Sequence, residues 1–271
     1  MNNQFIHRRT KLAENLQSGI AVIPTAKEVV RNKDAHFPYR FDSYFHYLTG
    51  FGEPESVIVI IGGKTPSSIL FCRGKNKEKE IWNGFRHGPE AAKNLLHCDE
   101  AYSIDEIDQI LPQLIENKDA IYTPLGIDSS WDQQIMSWLN QTRSRVREGI
   151  AAPEGLIDVR GMLDEMRLFK DPSELDTMRQ AAKISAEAHV LAMTATKPGK
   201  YEYAIEAEFL YHFKKNGSQF PAYTSIVAGG QNACVLHYIE NNAVLNDGDL
   251  LLIDAGCELN GYASDITRTF P

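Results

Sequence analysis

The sequence predicts two domains, an α/β domain with a mixed sheet followed by an α+β domain. Three observations lead there. The chain has 271 residues, enough for a large core and for two domains. Up to about residue 144, short β-rich runs alternate with helical segments, the pattern of an α/β fold. From residue 155 onward helical segments come first and turn-punctuated strand runs come last, the pattern of an α+β fold. The boundary is placed at about Leu168, giving domains 1–168 and 169–271.

The elements follow in order. Residues 5–18 have the spacing of a short amphipathic helix, and GIAVIP (19–24) is a brief buried strand. The aromatic-dense segment FPYRFDSYFHYLTGF (37–51) is expected to pack in a core or an interface. ESVIVIIGG (55–63) and SSILFCRG (67–74) flank a Gly/Pro/Ser turn and predict a hairpin. The charged run 75–82 is expected to be solvated surface, and a helix starts near Pro89. Residues 104–117 have helical spacing, with Pro112 as an interruption. DAIYTPLG (119–126) is a strand, and 131–144 an amphipathic helix. Residues 155–170 are expected to be helical. Asp171-Pro172-Ser173-Glu174 then starts a long, buried, Ala- and Met-bearing helix that ends before Pro198-Gly199. Residues 201–217 form another helix, closed by basic residues and Gly217. Residues 220–242 are expected to be a hairpin about Gly229-Gly230, with His237 in a strand near a sheet end.

Composition limits the function classes. Hydrophobic residues make up 43% and charged residues 24%, as in soluble globular proteins. A net charge of −8 argues against a nucleic-acid partner. No apolar run approaches the ~20 residues needed to span a bilayer, so no membrane role is expected. The basic N-terminal stretch has no apolar segment after it, and so does not form a secretion signal. Cys72, Cys98, Cys234 and Cys257 are scattered with no CxxC pair. That fits a reducing cytoplasm and free buried thiols.

The most informative stretch is 250–271, LLLIDAGCELNGYASDITRTFP. Asn260-Gly261 between two strand-like runs is a strong hairpin signal. A two-residue loop there puts Leu259 opposite Tyr262 and carries the register to Asp254 opposite Thr267. Asp265, two residues before Thr267, then shares a face with Asp254, as a diagonal neighbour about 7–8 Å away at the backbone. One extra loop residue would put the two acids on opposite faces. On residues alone two readings stay open: a divalent cation between the acids, or two solvated acids on an exposed face. His237 is equally open between a packed strand histidine and a functional one.

IDAGCELNGYASDITRTFP (253–271) resembles the metal-binding hairpin of the aminopeptidase P and prolidase group of pita-bread peptidases. PYRFDSYFHYLTGF (38–51), EIWNGFRHG (80–88), EMRLFKDPSE (165–174) and FPAYTSIVAGGQNACVLHY (220–238) resemble bacterial aminopeptidase P in the same order and at similar spacing. The resemblance implies a creatinase/prolidase-type N-terminal α/β domain and an incomplete α+β pita-bread catalytic domain. It implies release of the N-terminal residue from peptides whose second residue is proline. It also implies two divalent ions, most typically Mn2+, with a bridging hydroxide that attacks the scissile carbonyl. By motif position Asp254 chelates one metal and Asp265 bridges both. His237 orients substrate, and Tyr223 stands near the metals. Trp82 reaches the substrate pocket of a neighbouring subunit in a homo-oligomer.

The resemblance also calls for one His and two Glu ligands in later sequence contexts, and these do not occur in the 271 residues. The chain is therefore expected to be the first part of such an enzyme. It should hold a hard cation weakly, show little peptidase activity of its own, and expose LLLIDAG as an apolar strand. Prolidase is the closest rival, and a non-catalytic pita-bread binding or assembly module the rival from another class.

Overall fold

The computed structural model describes residues 3–271, and they divide into two compact units, Met1–Phe169 and Lys170–Pro271. The first contains α1 (Asn3–Asn15), β1 (Ile20–Pro24), α2 (Ser43–Thr49), β2 (Val57–Ile61), β3 (Ser67–Cys72), α3 (Lys77–Asn83) and α4 (Gly88–Leu96). It continues through β4 (Glu100–Ser103), α5 (Ile107–Leu114), β5 (Ala120–Thr123), α6 (Ser129–Ser144), β6 (Gly155–Asp158) and α7 (Arg160–Leu168). The six strands form one sheet in the order β4-β3-β2-β1-β5-β6. β1, β2 and β3 pair antiparallel, while β3–β4, β1–β5 and β5–β6 are parallel, so the sheet is mixed.

The continuous apolar run of β1 is explained by cover on both faces. Ala21 and Ile23 join Ile58, Ile60 and Leu70 under Leu12, Phe45, Ala92 and Leu163 of α1, α2, α4 and α7. Ile20 and Val22 join Val59 and Phe71 under Leu111, Ile135 and Trp138 of α5 and α6. The aromatic segment divides as its positions dictate. Phe45, Tyr47 and Phe51 are buried, whereas Phe37 is exposed.

The run 75–82 is solvated as expected and contributes helix α3, whose Ile81 and Trp82 are more than 80% exposed. Two local expectations fail here. Pro112 stands inside α5 without ending it. Residues 155–158 form β6, not the first turn of a helix. Backbone pairing along β5 outweighs local helical pattern, and Gly155 fits because a Cβ there would lie 2.9 Å from that of Ala120. Arg160 then grips Asp158 and the Leu125 carbonyl to turn the chain into α7.

The second unit begins with α8 (Pro172–Ala195) and α9 (Glu202–Lys215). Asp171 caps α8, accepting from the Ser173 and Glu174 amides, while Glu174 closes the capping box. The strands β7 (Phe220–Pro221), β8 (Ile226–Gly229), β9 (Leu251–Asp254), β10 (Cys257–Leu259), β11 (Tyr262–Ala263) and β12 (Thr267–Phe270) follow. They make two antiparallel sheets, β11-β10-β7 and β12-β9-β8. The core joins Ala181, Ala188 and Ala192 of α8 and Phe209 and Phe213 of α9 to Leu251, Ile253 and Cys257.

Three expectations are corrected in this unit. Only one face of α8 is buried, and Val190 and Leu191 are exposed. LLLIDAG is not an open strand. β9 is central between β8 and β12, Leu251 and Ile253 are buried, and only Leu250 is substantially exposed. No hairpin forms about Gly229-Gly230. β8 pairs with β9, and the chain leaves Gly229 through a 3-10 turn at Gly230–Cys234. Cys72, Cys98, Cys234 and Cys257 are all free, but Cys234 sits exposed at the end of that turn. No helix among the described residues is long and apolar enough to cross a membrane.

Candidate metal centre

Asn260 and Gly261 both take positive φ, 49° and 82°, the conformation of a type I′ two-residue turn. The turn sets Leu259 opposite Tyr262 and Glu258 opposite Ala263. The same register continues to Asp254 opposite Thr267. Between the two paired stretches the ladder is interrupted at residues 255–256 and 264–266. The strands come so close there that a Cβ on Gly256 would meet the Ser264 carbonyl oxygen at 1.8 Å, so only glycine fits.

Asp254 and Asp265 consequently face one point. The Tyr223 hydroxyl, from the loop between β7 and β8, lies 2.5 Å from Asp254 Oδ1 and 2.9 Å from Asp265 Oδ1. A phenol has one proton and so donates to one carboxylate at a time. Partial burial, followed by the two carboxylates, pushes the Tyr223 pKa far above its ordinary value, so the hydroxyl stays protonated. The two carboxylates that meet at the Tyr223 hydroxyl, and the phenolic oxygen itself, are hard donors of the kind a hard cation takes. The donor chemistry fits a metal, but the set is small. Among the described residues no group of three or more His, Cys, Asp or Glu could hold an ion.

The other two sequence-derived residues do not join this cluster. His237 is exposed in a turn, not in a strand, and hydrogen-bonds neither aspartate. Trp82 belongs to the first unit and is 84% exposed on α3, beside Ile81 and near Phe85, which are also exposed.

Sequence reasoning missed the residue that holds the His237 loop. Glu202, fully buried in the first turn of α9, accepts from the Gly229 amide at 2.8 Å, Asn232 Nδ2 at 3.0 Å, the Tyr238 hydroxyl at 2.7 Å and the Ala243 amide at 2.9 Å. Asn241, buried at φ 47°, adds bonds to the Val227 amide, the Ser225 carbonyl and Glu206. These two side chains satisfy the backbone that the expected return strand would have satisfied. The available signal was the Asn241-Asn242 pair, which reads as a loop anchor once no strand follows.

Residues 5–122 match the aminopeptidase P N-terminal domain, and residues 176–271 match metallopeptidase family M24. The chain is 44% identical over 271 residues to an Xaa-Pro aminopeptidase of Escherichia coli, covering 99% of this chain and 62% of that protein. The chain thus carries an aminopeptidase P N-terminal domain and part of an M24 metallopeptidase domain. A Haemophilus influenzae Xaa-Pro aminopeptidase is 43% identical, with 60% of its length covered. Two solved structures agree throughout the chain, each with 62% of its own length covered. The Pseudomonas aeruginosa aminopeptidase PepP superposes with a TM-score of 0.98 at 46% identity, and a zinc-substituted Escherichia coli aminopeptidase P in complex with product with 0.98 at 43%. The chain thus spans about three-fifths of the aminopeptidase P relatives it matches.

Proposed function

We propose that the chain supplies the N-terminal domain and part of the metal site of an aminopeptidase that releases the N-terminal residue from peptides with proline in second position. The observation that carries this is the convergence of Asp254 and Asp265 on the Tyr223 hydroxyl. In this reading Asp254 would be a ligand of one divalent ion and Asp265 would serve two, with Mn2+ the expected metal. Bound there, the ions supply a low-pKa water as nucleophile and polarise the scissile carbonyl. Tyr223 stands beside both carboxylates and donates to one of them at a time. His237, on a loop pinned at both ends by Glu202, orients the substrate backbone. Trp82 serves a substrate pocket from outside its own unit, in a cytoplasmic homo-oligomer.

The 271 residues supply two of the five protein ligands that the family resemblance implies. A polypeptide limited to them is expected to hold a hard cation weakly and to leave Xaa-Pro peptides intact in the presence of Mn2+. The longest reading frame containing these residues, expressed whole, should cleave tripeptides such as Ala-Pro-Ala after the first residue. Asp265→Asn should lower its kcat/KM by about a thousandfold or more. Hydrolysis of Xaa-Pro dipeptides alone would point instead to a prolidase. Metal-independent turnover would overturn the proposal.

A further inference from the structure

The buried face of α8 is lined mainly by small apolar residues, Ala181, Ala188 and Ala192. Two polar side chains one turn apart interrupt it, Ser185 and His189, both essentially fully buried. Buried polar groups of this kind occur where something needs them. What needs them is the break in the hairpin. Where the ladder lapses at residues 255–256, the Ala255 carbonyl and the adjoining Cys257 amide lie buried against α8. His189 Nε2 lies 3.2 Å from the Ala255 carbonyl oxygen. The Cys257 amide donates to Ser185 Oγ at 2.9 Å, and Ser185 Oγ bonds Ser264 Oγ at 2.7 Å. Ser264 Oγ in turn donates to the Cys257 carbonyl at 3.0 Å.

The proton count of this cluster closes. Ser264 donates to Cys257, Ser185 donates to Ser264, and the Cys257 amide donates to both hydroxyls. A carbonyl only accepts, so His189 carries its proton on Nε2. Its Nδ1 has no partner, and burial holds the ring neutral by lowering its pKa. The ring is fixed edge-on to Phe209 at 4.9 Å. The contacts fall on both strands and beside both acids. Ala255, bonded to His189, follows Asp254, and Ser264, bonded to Ser185, precedes Asp265, while the Ala255 amide donates to the Ile266 carbonyl.

We infer that Ser185 and His189 are positioning residues for the metal pair: they hold the broken segment of the hairpin so that Asp254 and Asp265 face one point. This rests on the metal reading above and extends it to two residues of α8 that touch neither carboxylate. Groups that orient ligands in this way typically contribute about 10–100-fold to metal affinity.

The test uses this chain and Tb3+, a hard cation whose emission a tyrosine at its site, here Tyr223, is expected to sensitise. Asp254→Asn serves as the control that marks the site and should abolish the sensitised emission. His189→Leu keeps the bulk but removes the donor, and should weaken Tb3+ binding by about tenfold or more. His189→Gln replaces the Nε2–H with an amide N–H and should bind within about threefold of the parent. Binding of His189→Leu equal to that of the parent, with Asp254→Asn inactive, overturns the inference and leaves the metal reading standing. If His189→Leu fails to fold by circular dichroism, Ser185→Ala is judged by the same comparison. If Asp254→Asn binds as the parent does, the metal reading fails, and amide exchange over residues 254–267 decides what is left. Faster exchange in His189→Leu, restored in His189→Gln, supports the positioning role, and unchanged exchange removes it.

Discussion

At the residue scale, position within the fold sets what each polar group does. Glu202 is a buried carboxylate with four donors aimed at it, and truncation strands all four. Glu202→Ala should therefore destabilise the second unit by about 3 kcal/mol, read as a lower chemical-denaturation midpoint. Nothing in the sequence distinguishes Glu202 from the other acids of α9, because its partners lie more than 25 residues away. His46 gives a pH-dependent counterpart in the first unit. Burial, then Arg40 and Arg8, lower its pKa from 6.5 to about 4, and its ring stacks on Phe41 at 3.8 Å. The unfolded chain thus binds more protons than the folded one between those two values. Stability contributed by the neutral ring is complete above about pH 6.5 and is lost as pH falls towards 4. Denaturation midpoints measured across that window should fall for the parent and fall less for His46→Phe. The loss belonging to His46 should be about 3 kcal/mol.

At the scale of elements, the hairpin about Asn260-Gly261 was legible because its turn chemistry and period-2 register leave little freedom. One residue inserted between Asn260 and Gly261 moves Asp265 to the opposite face from Asp254. Such an insertion should abolish Tb3+ emission sensitised by Tyr223 while the far-ultraviolet circular dichroism persists. Retained emission would show that the pairing, not the loop, sets the carboxylates. Elements whose partners are distant were less legible. β6 forms because β5 offers a parallel edge, which a helical pattern at 155–170 conceals. The return strand expected after Gly229 is absent because Glu202 and Asn241 satisfy that backbone from α9 and from the loop itself. The polar pair on α8 was hidden as well, since one Ser and one His in an Ala-rich helix acquire meaning only against the broken ladder.

At the scale of the molecule, the division into an α/β unit and an α+β unit follows from the order of helical and strand runs. Each unit closes its own apolar core, the first with helices on both sheet faces and the second with α8 and α9 against β9 and β10. The first unit, expressed as residues 1–169, is accordingly expected to unfold cooperatively and to survive limited proteolysis as one fragment. Digestion to small peptides would contradict that. In the second unit we propose that Asp254 and Asp265 are the metal ligands this chain contributes. The free Mn2+ signal in electron paramagnetic resonance tests it most directly, with the parent chain titrated alongside Asp254→Asn and Asp265→Asn. The parent should withdraw Mn2+ from the free pool and each variant should withdraw markedly less. Equal withdrawal by all three would contradict the account.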